Sequence, residues 1–442
     1  MPLPSSGLRH RLPPVMAPSD LFIIALGVFG YALVSRRGES GSLTGPMVFT
    51  AMGLVLGEAV LDLVAFPVRN SALHMLAEVT LVLVLFTDAA RIDVTRLSRD
   101  HDVPLRLLAI GLPMTMVLGT LAAWWIFPGL GLWQAAVLGV ILAPTDAALG
   151  QAVVTNGAIP QRVRQALNVE SGLNDGLAFP VLLIVLSLAF EAVEGRGAGG
   201  WSLFIAGQLL VGPAVGIAVG WLGVRAINAA AEARLMNQVF LQIAVLSLAL
   251  LAYGGAELAH GNGFIAAFAA GMAVATSTRR VLDALEDFGE TEGQLLSLVV
   301  FLLFGAVLLP TAFDTLTWRH VVYAALSLTV LRMVPVALAL TGTRLRPVTA
   351  LFLGWFGPRG LASILYLLLI LEEDGVQLGG DLAPAILLTV AGSVILHGAS
   401  AAPAARAYAR WIAARDTAPE DRPVFPFPTR IGHHRGKASA AD

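Results

Sequence analysis

Apolar stretches of about 20 residues, separated by short polar or Gly/Pro-rich segments, recur along nearly the whole chain. A helix needs about 20 apolar residues to cross the hydrocarbon core of a bilayer, so each stretch predicts one membrane span. The pattern predicts an all-α polytopic membrane protein with about thirteen transmembrane helices. The predicted spans are residues 19–35, 44–65, 72–90, 104–127, 131–156, 163–190, 201–225, 236–256, 261–278, 294–311, 319–341, 348–371 and 383–409.

The distribution of basic residues predicts the orientation of these spans. With the N-terminus outside, 21 of the 28 Lys and Arg residues fall in cytoplasmic segments, 5 fall outside and 2 lie within spans. Basic residues concentrate in the cytoplasmic loops of membrane proteins. The sequence therefore predicts an extracytoplasmic segment at residues 1–18, a transmembrane domain at 19–409 and a short, loosely attached cytoplasmic tail at 410–442.

The composition excludes several classes of protein. Of 442 residues, 57% are apolar and 13% are charged, which is about half the charged share of a soluble domain. A net charge of -2 gives no basic footprint for nucleic acid. The absence of cysteine excludes a disulfide scaffold, a thiolate zinc site and a cysteine nucleophile. No His-Glu-x-x-His helix or evident Ser/His/Asp set indicates an enzyme.

Two predicted spans are interrupted, and the interruptions predict an internal repeat. Span five breaks at Pro144-Thr145-Asp146, and span twelve breaks at Gly357-Pro358-Arg359-Gly360. An offset of seven spans reverses the orientation of the second half, so the sequence predicts two inverted six-helix repeats with broken, crossing helices. Matching interruptions in two halves are the best sequence pointer to the binding site of a transporter.

Span six contains a dense polar cluster, Glu170-Ser171-Gly172-Leu173-Asn174-Asp175. Ionisable groups inside a membrane are costly and are functional candidates, although polar groups also hold helices together. Two nearby carboxylates cannot both be ionised without a counter-charge. Arg359 is always protonated, so we predict a structural ion pair between Glu170 and Arg359. Arg332, in span eleven, also needs a buried partner, which the sequence does not name.

This assignment leaves Asp175 as the group that exchanges its ligand. Oxygen ligands suit hard cations, and we expect Thr145, Ser171 and Asp146 near Asp175. Asn174 lies beside them and is the second residue expected to take part in exchange. A single carboxylate that takes either a cation or a proton implies one cation for one proton, with no net charge moved. The only metal expected is therefore a monovalent cation.

The ordered set of motifs resembles the NhaP/NHE branch of the monovalent cation:proton antiporters, over nearly the whole hydrophobic chain. The motifs are Pro144-Thr145-Asp146, Glu170-Ser171-x-x-Asn174-Asp175 and Gly357-x-Arg359-Gly360. The resemblance implies a homodimer with an elevator-like movement. It implies core helices at about 104–190 and 319–409, and dimerisation helices at about 19–90 and 201–311. It also implies that cation and proton compete at Asp175, with Thr145 and Ser171 supplying oxygen atoms and no cofactor.

Three alternatives to sodium/proton exchange stay open. The same site could exchange potassium for protons, because ion size depends on ligand placement that a sequence does not give. A passive cation channel would pass current without coupled proton flux. A membrane sensor would carry a folded output domain, for which the tail after residue 410 is short. In each case the chain lies in the bilayer, and we expect no nucleic-acid partner. The absence of a transit peptide and the compactness of the chain favour a plasma (inner) membrane.

Overall fold

The described residues of the chain are helical and contain no strand. The computed structural model describes residues 18–40, 42–64, 71–92, 102–146, 148–194, 198–277, 279–372, 380–415 and 419–421. Seven helices in this part of the chain are long and apolar enough to cross a membrane, and five shorter apolar helices accompany them. The predicted all-α class is therefore confirmed. The predicted segment 1–18 lies outside the described residues except for its last position.

The helices follow the hydrophobic pattern along the chain. They are α1 (Pro18–Ser40), α2 (Gly45–Leu56), α3 (Ser71–Ala90), α4 (Asp102–Ile126), α5 (Leu132–Ile141), α6 (Gln151–Val154), α7 (Gln161–Glu194), α8 (Ala198–Glu232), α9 (Gln238–Leu258), α10 (Gly263–Val274), α11 (Arg279–Leu303), α12 (Trp318–Leu328), α13 (Val330–Ala339), α14 (Pro347–Trp355), α15 (Leu361–Glu372) and α16 (Leu382–Ala413). Each of the thirteen predicted ranges contains helix. The number of helices that cross the bilayer stays a prediction.

The two predicted interruptions are present, and a third was not predicted. Helices α5 and α14 both stop short, and non-helical residues follow each of them. The eleventh predicted span is divided at Thr329, whose backbone angles (φ -122°, ψ -92°) are not helical. This third break places Arg332 in the first turn of α13 rather than in mid-helix. No glycine precedes Thr329 to signal the break.

Glycine residues let α8 approach α10 to backbone contact. A Cβ at Gly212, Gly216 or Gly220 would lie 2.8, 2.1 or 2.7 Å from the carbonyl oxygen of residue 262, 266 or 270. Such distances are shorter than van der Waals contact. Because lipid tails are as apolar as leucine, close packing of small residues replaces hydrophobic burial as the force between helices in a membrane. This stripe therefore fixes the two helices as one unit.

After α16 the chain returns to the helices through a short turn at Pro419–Asp421. The Glu420 carboxylate accepts hydrogen bonds from the Arg346 backbone N–H (3.0 Å) and the Thr349 hydroxyl (2.7 Å), at the start of α14. Arg162, at the start of α7, donates to the Pro419 carbonyl at 3.2 Å. Glu420 is fully buried. The expected loose attachment of the tail is therefore wrong for residues 419–421, while 422–442 lie outside the described residues.

Replacing Glu420 by alanine should destabilise the protein in a pH-dependent way. Burial alone would raise the pKa of this carboxyl, but the bonds from Arg346 and Thr349 outweigh it and lower the pKa below 4.5. A lowered pKa gives stability that is present above the pKa of the unfolded chain and is lost as pH falls through the folded value. We expect Glu420→Ala to lose about 1–3 kcal/mol at pH 7, because two buried donors lose their acceptor.

Melting temperatures in detergent would measure this effect. Glu420→Gln keeps one acceptor oxygen and should lose less than Glu420→Ala. The deficit of both variants should shrink below pH 4.5. Equal destabilisation at pH 4 and pH 7 would contradict the assignment.

Candidate functional site

The interruptions after α5 and α14 lie against each other. The Asp146 backbone N–H donates to the Pro358 carbonyl at 2.8 Å, which joins the two non-helical segments directly. Because both segments have left their helices, their backbone groups would otherwise lack partners inside the protein. The contact therefore brings together the two breaks that the sequence predicted to meet.

Asp146 caps a helix that belongs to the other half of the chain. One carboxylate oxygen accepts from the Leu361 N–H at 2.8 Å, at the start of α15, and the other accepts from the Ala148 N–H at 2.8 Å. A negative charge at a helix N-terminus is stabilised by the helix dipole and by unpaired N–H groups. Gly360 makes the approach possible, since a Cβ there would lie 2.2 Å from the Asp146 Oδ2 atom.

Arg359 supplies the opposite charge to the end of α5. Its Nη1 donates to the Ala143 and Pro144 carbonyls, the latter at 3.2 Å, just beyond the last turn of that helix. Its backbone N–H donates to the Ser393 hydroxyl at 2.6 Å. Cations are stabilised at helix C-termini, and this arginine is fully buried. Arg359 therefore neutralises a helix end rather than a side chain.

The buried ion pair of the site joins Glu170 to Arg332. Arg332 Nη1 lies 2.6 Å from Glu170 Oε1, and Nη2 donates to Oε2 at 2.8 Å, so the contact is bidentate. Both side chains are 1% exposed. The predicted Glu170–Arg359 pair is wrong in its partner, because the carbonyls of the α5 break hold Arg359. The missing partner of Arg332 is Glu170, and Gly357 leaves room for its guanidinium.

Asn174 connects α7 to the first break. Its amide nitrogen donates to the Thr145 hydroxyl at 2.7 Å and is 3.3 Å from the Thr145 carbonyl oxygen. Asn174 is fully buried. The Ser171 hydroxyl, one turn earlier on α7, donates to the Asn168 carbonyl at 3.3 Å. The cluster on span six and the break in span five are therefore parts of one site.

Asp175 follows Asn174 on α7 and is 7% exposed. The Tyr366 hydroxyl on α15 donates to its backbone carbonyl at 2.8 Å, so the second half of the broken span holds this turn of α7. At the next residue, Gly176, a Cβ would lie 2.1 Å from the ring of Phe268 on α10. Asp175 therefore lies in a packed environment, with an aromatic ring against the adjoining backbone.

Among the described residues, five buried carboxyl and guanidinium side chains belong to this site. Asp146, Glu170 and Asp175 are acidic, and Arg332 and Arg359 are basic. When all five are ionised, the acids exceed the bases by one negative charge. A buried charge in excess is unfavourable unless a counter-charge or a proton neutralises it. The arrangement is therefore suited to holding one monovalent cation or one proton.

Two further acids lie at membrane depth on α3. Asp88 is buried and lies 3.9 Å from Arg91. Glu78 is half-buried, and the Tyr253 hydroxyl donates to it. The sequence interpretation did not single out Glu78. Its position within the predicted span 72–90 could have identified it as a candidate functional residue.

Comparison with known proteins identifies the family. The family described as sodium/hydrogen exchanger, transmembrane, matches residues 22–407. The chain belongs to this family. By this membership it is a multi-pass membrane protein of the sodium/hydrogen exchanger family.

Some relatives of the chain are named for potassium and others for sodium. It is 26% identical over 356 residues to the K(+)/H(+) antiporter NhaP of Alkalimonas amylolytica, covering 79% of this chain and 60% of that protein. It is 26% identical over 370 residues to the Na(+)/H(+) antiporter of Saccharomyces cerevisiae, covering 79% and 37%. The chain thus spans less than two thirds of the length of these relatives.

A solved antiporter structure shares the fold. The sodium proton antiporter MjNhaP1 from Methanocaldococcus jannaschii at pH 8 superposes with a TM-score of 0.70. The match covers 87% of this chain and 96% of that chain at 18% identity. The two chains therefore share a fold, and this likeness says nothing about which residues bind a ligand.

Removing one partner of the Glu170–Arg332 pair should be more harmful than removing both. Arg332→Met leaves a carboxylate buried without its counter-charge, which costs about 3–5 kcal/mol. Adding Glu170→Gln to Arg332→Met should restore much of this loss. The matched control adds Glu170→Gln to Arg359→Met, where we expect little recovery. Melting temperatures of the variants in detergent would decide, and better recovery in the Arg359 background would refute the pairing.

The close approach at Gly360 gives a separate prediction. Gly360→Ala would push a methyl group into the Asp146 carboxylate, and overpacking of this kind costs about 1–3 kcal/mol. Gly157→Ala is the matched control, because nothing lies within 4 Å of its Cβ position. Thermal unfolding should show a lower melting temperature for Gly360→Ala only. Equal stability of the two variants would argue against capping by Asp146.

Proposed function

We propose that the protein is an electroneutral antiporter that exchanges one monovalent cation, in the first instance Na+, for one proton by alternating access. The observation that carries this proposal is the excess of one acid over the two arginines in the buried site. A neutral site is reached in two ways: a cation binds, or one carboxyl takes a proton. Because both solve the same electrostatic problem, they exclude each other.

Asp175 is the carboxylate that we assign to this competition. Asp146 uses its two oxygens for backbone N–H groups, and Glu170 is held by a bidentate arginine. The Thr145 and Ser171 oxygens lie on the elements that adjoin Asp175, and Asn174 orients Thr145 by its 2.7 Å bond. In this proposal, deprotonated Asp175 binds the cation together with these oxygens, and protonation releases it. No cofactor takes part.

The domain arrangement is part of the same proposal. The contacts that build the site lie within the ranges 104–190 and 319–409, which we take as the moving core. The ranges 19–90 and 201–311 would form the dimerisation helices of a homodimer. We further infer thirteen spans in two inverted repeats, in a plasma membrane, with the N-terminus outside and the C-terminus in the cytoplasm.

Potassium is the second candidate cation. The relatives from Alkalimonas amylolytica and Shewanella oneidensis are named K(+)/H(+) antiporters, whereas two yeast relatives are named for sodium. The site offers both ions the same oxygen chemistry. A passive channel or a membrane sensor has no comparable support.

Replacing Asp175 by asparagine should abolish exchange without unfolding the protein. The amide has nearly the shape of the carboxyl group, but it does not bind a proton and has no negative charge to balance a cation. Everted vesicles with a trapped pH-sensitive dye would report proton release on addition of Na+, Li+ or K+. The matched control is Asp314→Asn, an exposed aspartate outside the site. Full exchange by the Asp175→Asn variant would refute the assignment.

The same assay tests the stoichiometry. A one-for-one exchange moves no net charge, so its rate should not change when a membrane potential is imposed. Acceleration by an inside-negative or inside-positive potential would show that more than one charge moves in a cycle.

A further inference from the structure

A cavity of about 370 Å³ lies between helices of the two proposed domains. The wall from α3 and α10 includes Glu78, Asn262 and Phe264, and the wall from α7 and α15 includes Phe179 and Tyr366. A water molecule occupies about 30 Å³ in the liquid, so the cavity has room for an ion with part of its hydration shell. Its lining is mainly apolar with a few polar groups.

Glu78 contributes a carboxyl group to the wall of this cavity. It lies on α3 within a predicted span, where ionised side chains are rare and usually face a water-filled cavity or a partner. Among the described side chains, the Tyr253 hydroxyl is the one hydrogen-bond donor to its carboxylate, and no arginine pairs with it. One neutral donor does not replace the hydration of a carboxylate. Glu78 is therefore suited to attract a positive charge into the cavity.

The cavity reaches close to the exchange site. Phe179, which lines it, comes one helical turn after Asp175 on α7. Tyr366, on the opposite side, donates its hydroxyl to the Asp175 backbone carbonyl at 2.8 Å. A cation in the cavity would therefore be separated from the exchange site by about one turn of helix.

The cavity lies on the predicted outer side of the site. Under the orientation that the basic residues favour, α3 starts outside, and Glu78 lies in its first half. Asn262 belongs to the predicted outer connection between α9 and α10. The half of α7 that lines the cavity follows Asp175, away from the cytoplasmic arginines at its start.

We propose that Glu78 and this cavity form an outer waiting site for a hydrated monovalent cation, distinct from the exchange site at Asp175. The cation is held there by the carboxylate and by its own water before it reaches Asp175. This inference rests on the proposed antiport. It predicts an effect on one side of the membrane only, because the waiting site serves cations that enter from outside.

The test compares the cation concentration for half-maximal exchange in right-side-out and everted vesicles. Loss of one nearby charge should weaken attraction of a cation by about five-fold. Glu78→Gln should therefore raise the half-saturating concentration about five-fold for cations added outside and leave the value for cations added inside unchanged. Glu58→Gln, an exposed glutamate at the end of α2, is the matched control and should change neither value.

The absence of cysteine allows a second variant. In Glu78→Cys, an impermeant, negatively charged thiol reagent added outside should attach and restore the low half-saturating concentration. A positively charged reagent of similar size should attach without restoring it. This comparison separates the charge of the side chain from any structural effect of the substitution, and it remains available if Glu78→Gln does not fold.

The outcomes that overturn the waiting site differ from those that overturn antiport. An unchanged Glu78→Gln, an equal change from both sides, or equal restoration by both reagents would each refute it while exchange continues. Failure of the unmodified protein to exchange any cation for protons would refute the proposed function instead.

Discussion

A helix that stops inside a bilayer leaves backbone N–H and C=O groups without partners, and each such group costs several kcal/mol in hydrocarbon. This chain meets the constraint by reciprocal capping. Asp146, from the break after α5, caps the start of α15, and Arg359, from the break after α14, caps the end of α5. Each break supplies the charge that the other needs, so neither is stable without its counterpart.

The reciprocal contacts determine what the remaining buried charges can do. Arg359 donates to the carbonyl groups just after α5, so Glu170 needs another counter-charge. Arg332 supplies this charge from the first turn of α13. The pair is fully buried and its two groups lie in close contact, which commits each to the other. In the mechanism that we propose, the excess negative charge therefore falls on Asp175. In this chain, the contacts that satisfy the backbone at the breaks also determine which buried charges are paired.

The amino-acid pattern was sufficient for the fold class, for the helix in each predicted range and for the meeting of the two breaks. The two broken helices were expected to cross, and the hydrogen bond from the Asp146 N–H to the Pro358 carbonyl joins their breaks directly. The ion pair was mispredicted because the sequence places two arginines within spans and gives no information on which carboxylate each reaches. Arg332 reaches Glu170 from the first turn after the break at Thr329, and no glycine or proline stands at that break to reveal it. Likewise, the turn that buries Glu420 is hidden in a polar tail.

The contact between Phe268 and Gly176 bears on proton leakage through the exchanger that we propose. A cell keeps its ion gradients only if no continuous thread of water links the two compartments through the protein, since protons move along such threads without any carrier. Here a hydrocarbon ring rests on bare backbone beside Asp175, with no side chain to keep them apart. In the proposed exchanger, the absence of a side chain at residue 176 thus lets an apolar ring exclude water beside Asp175.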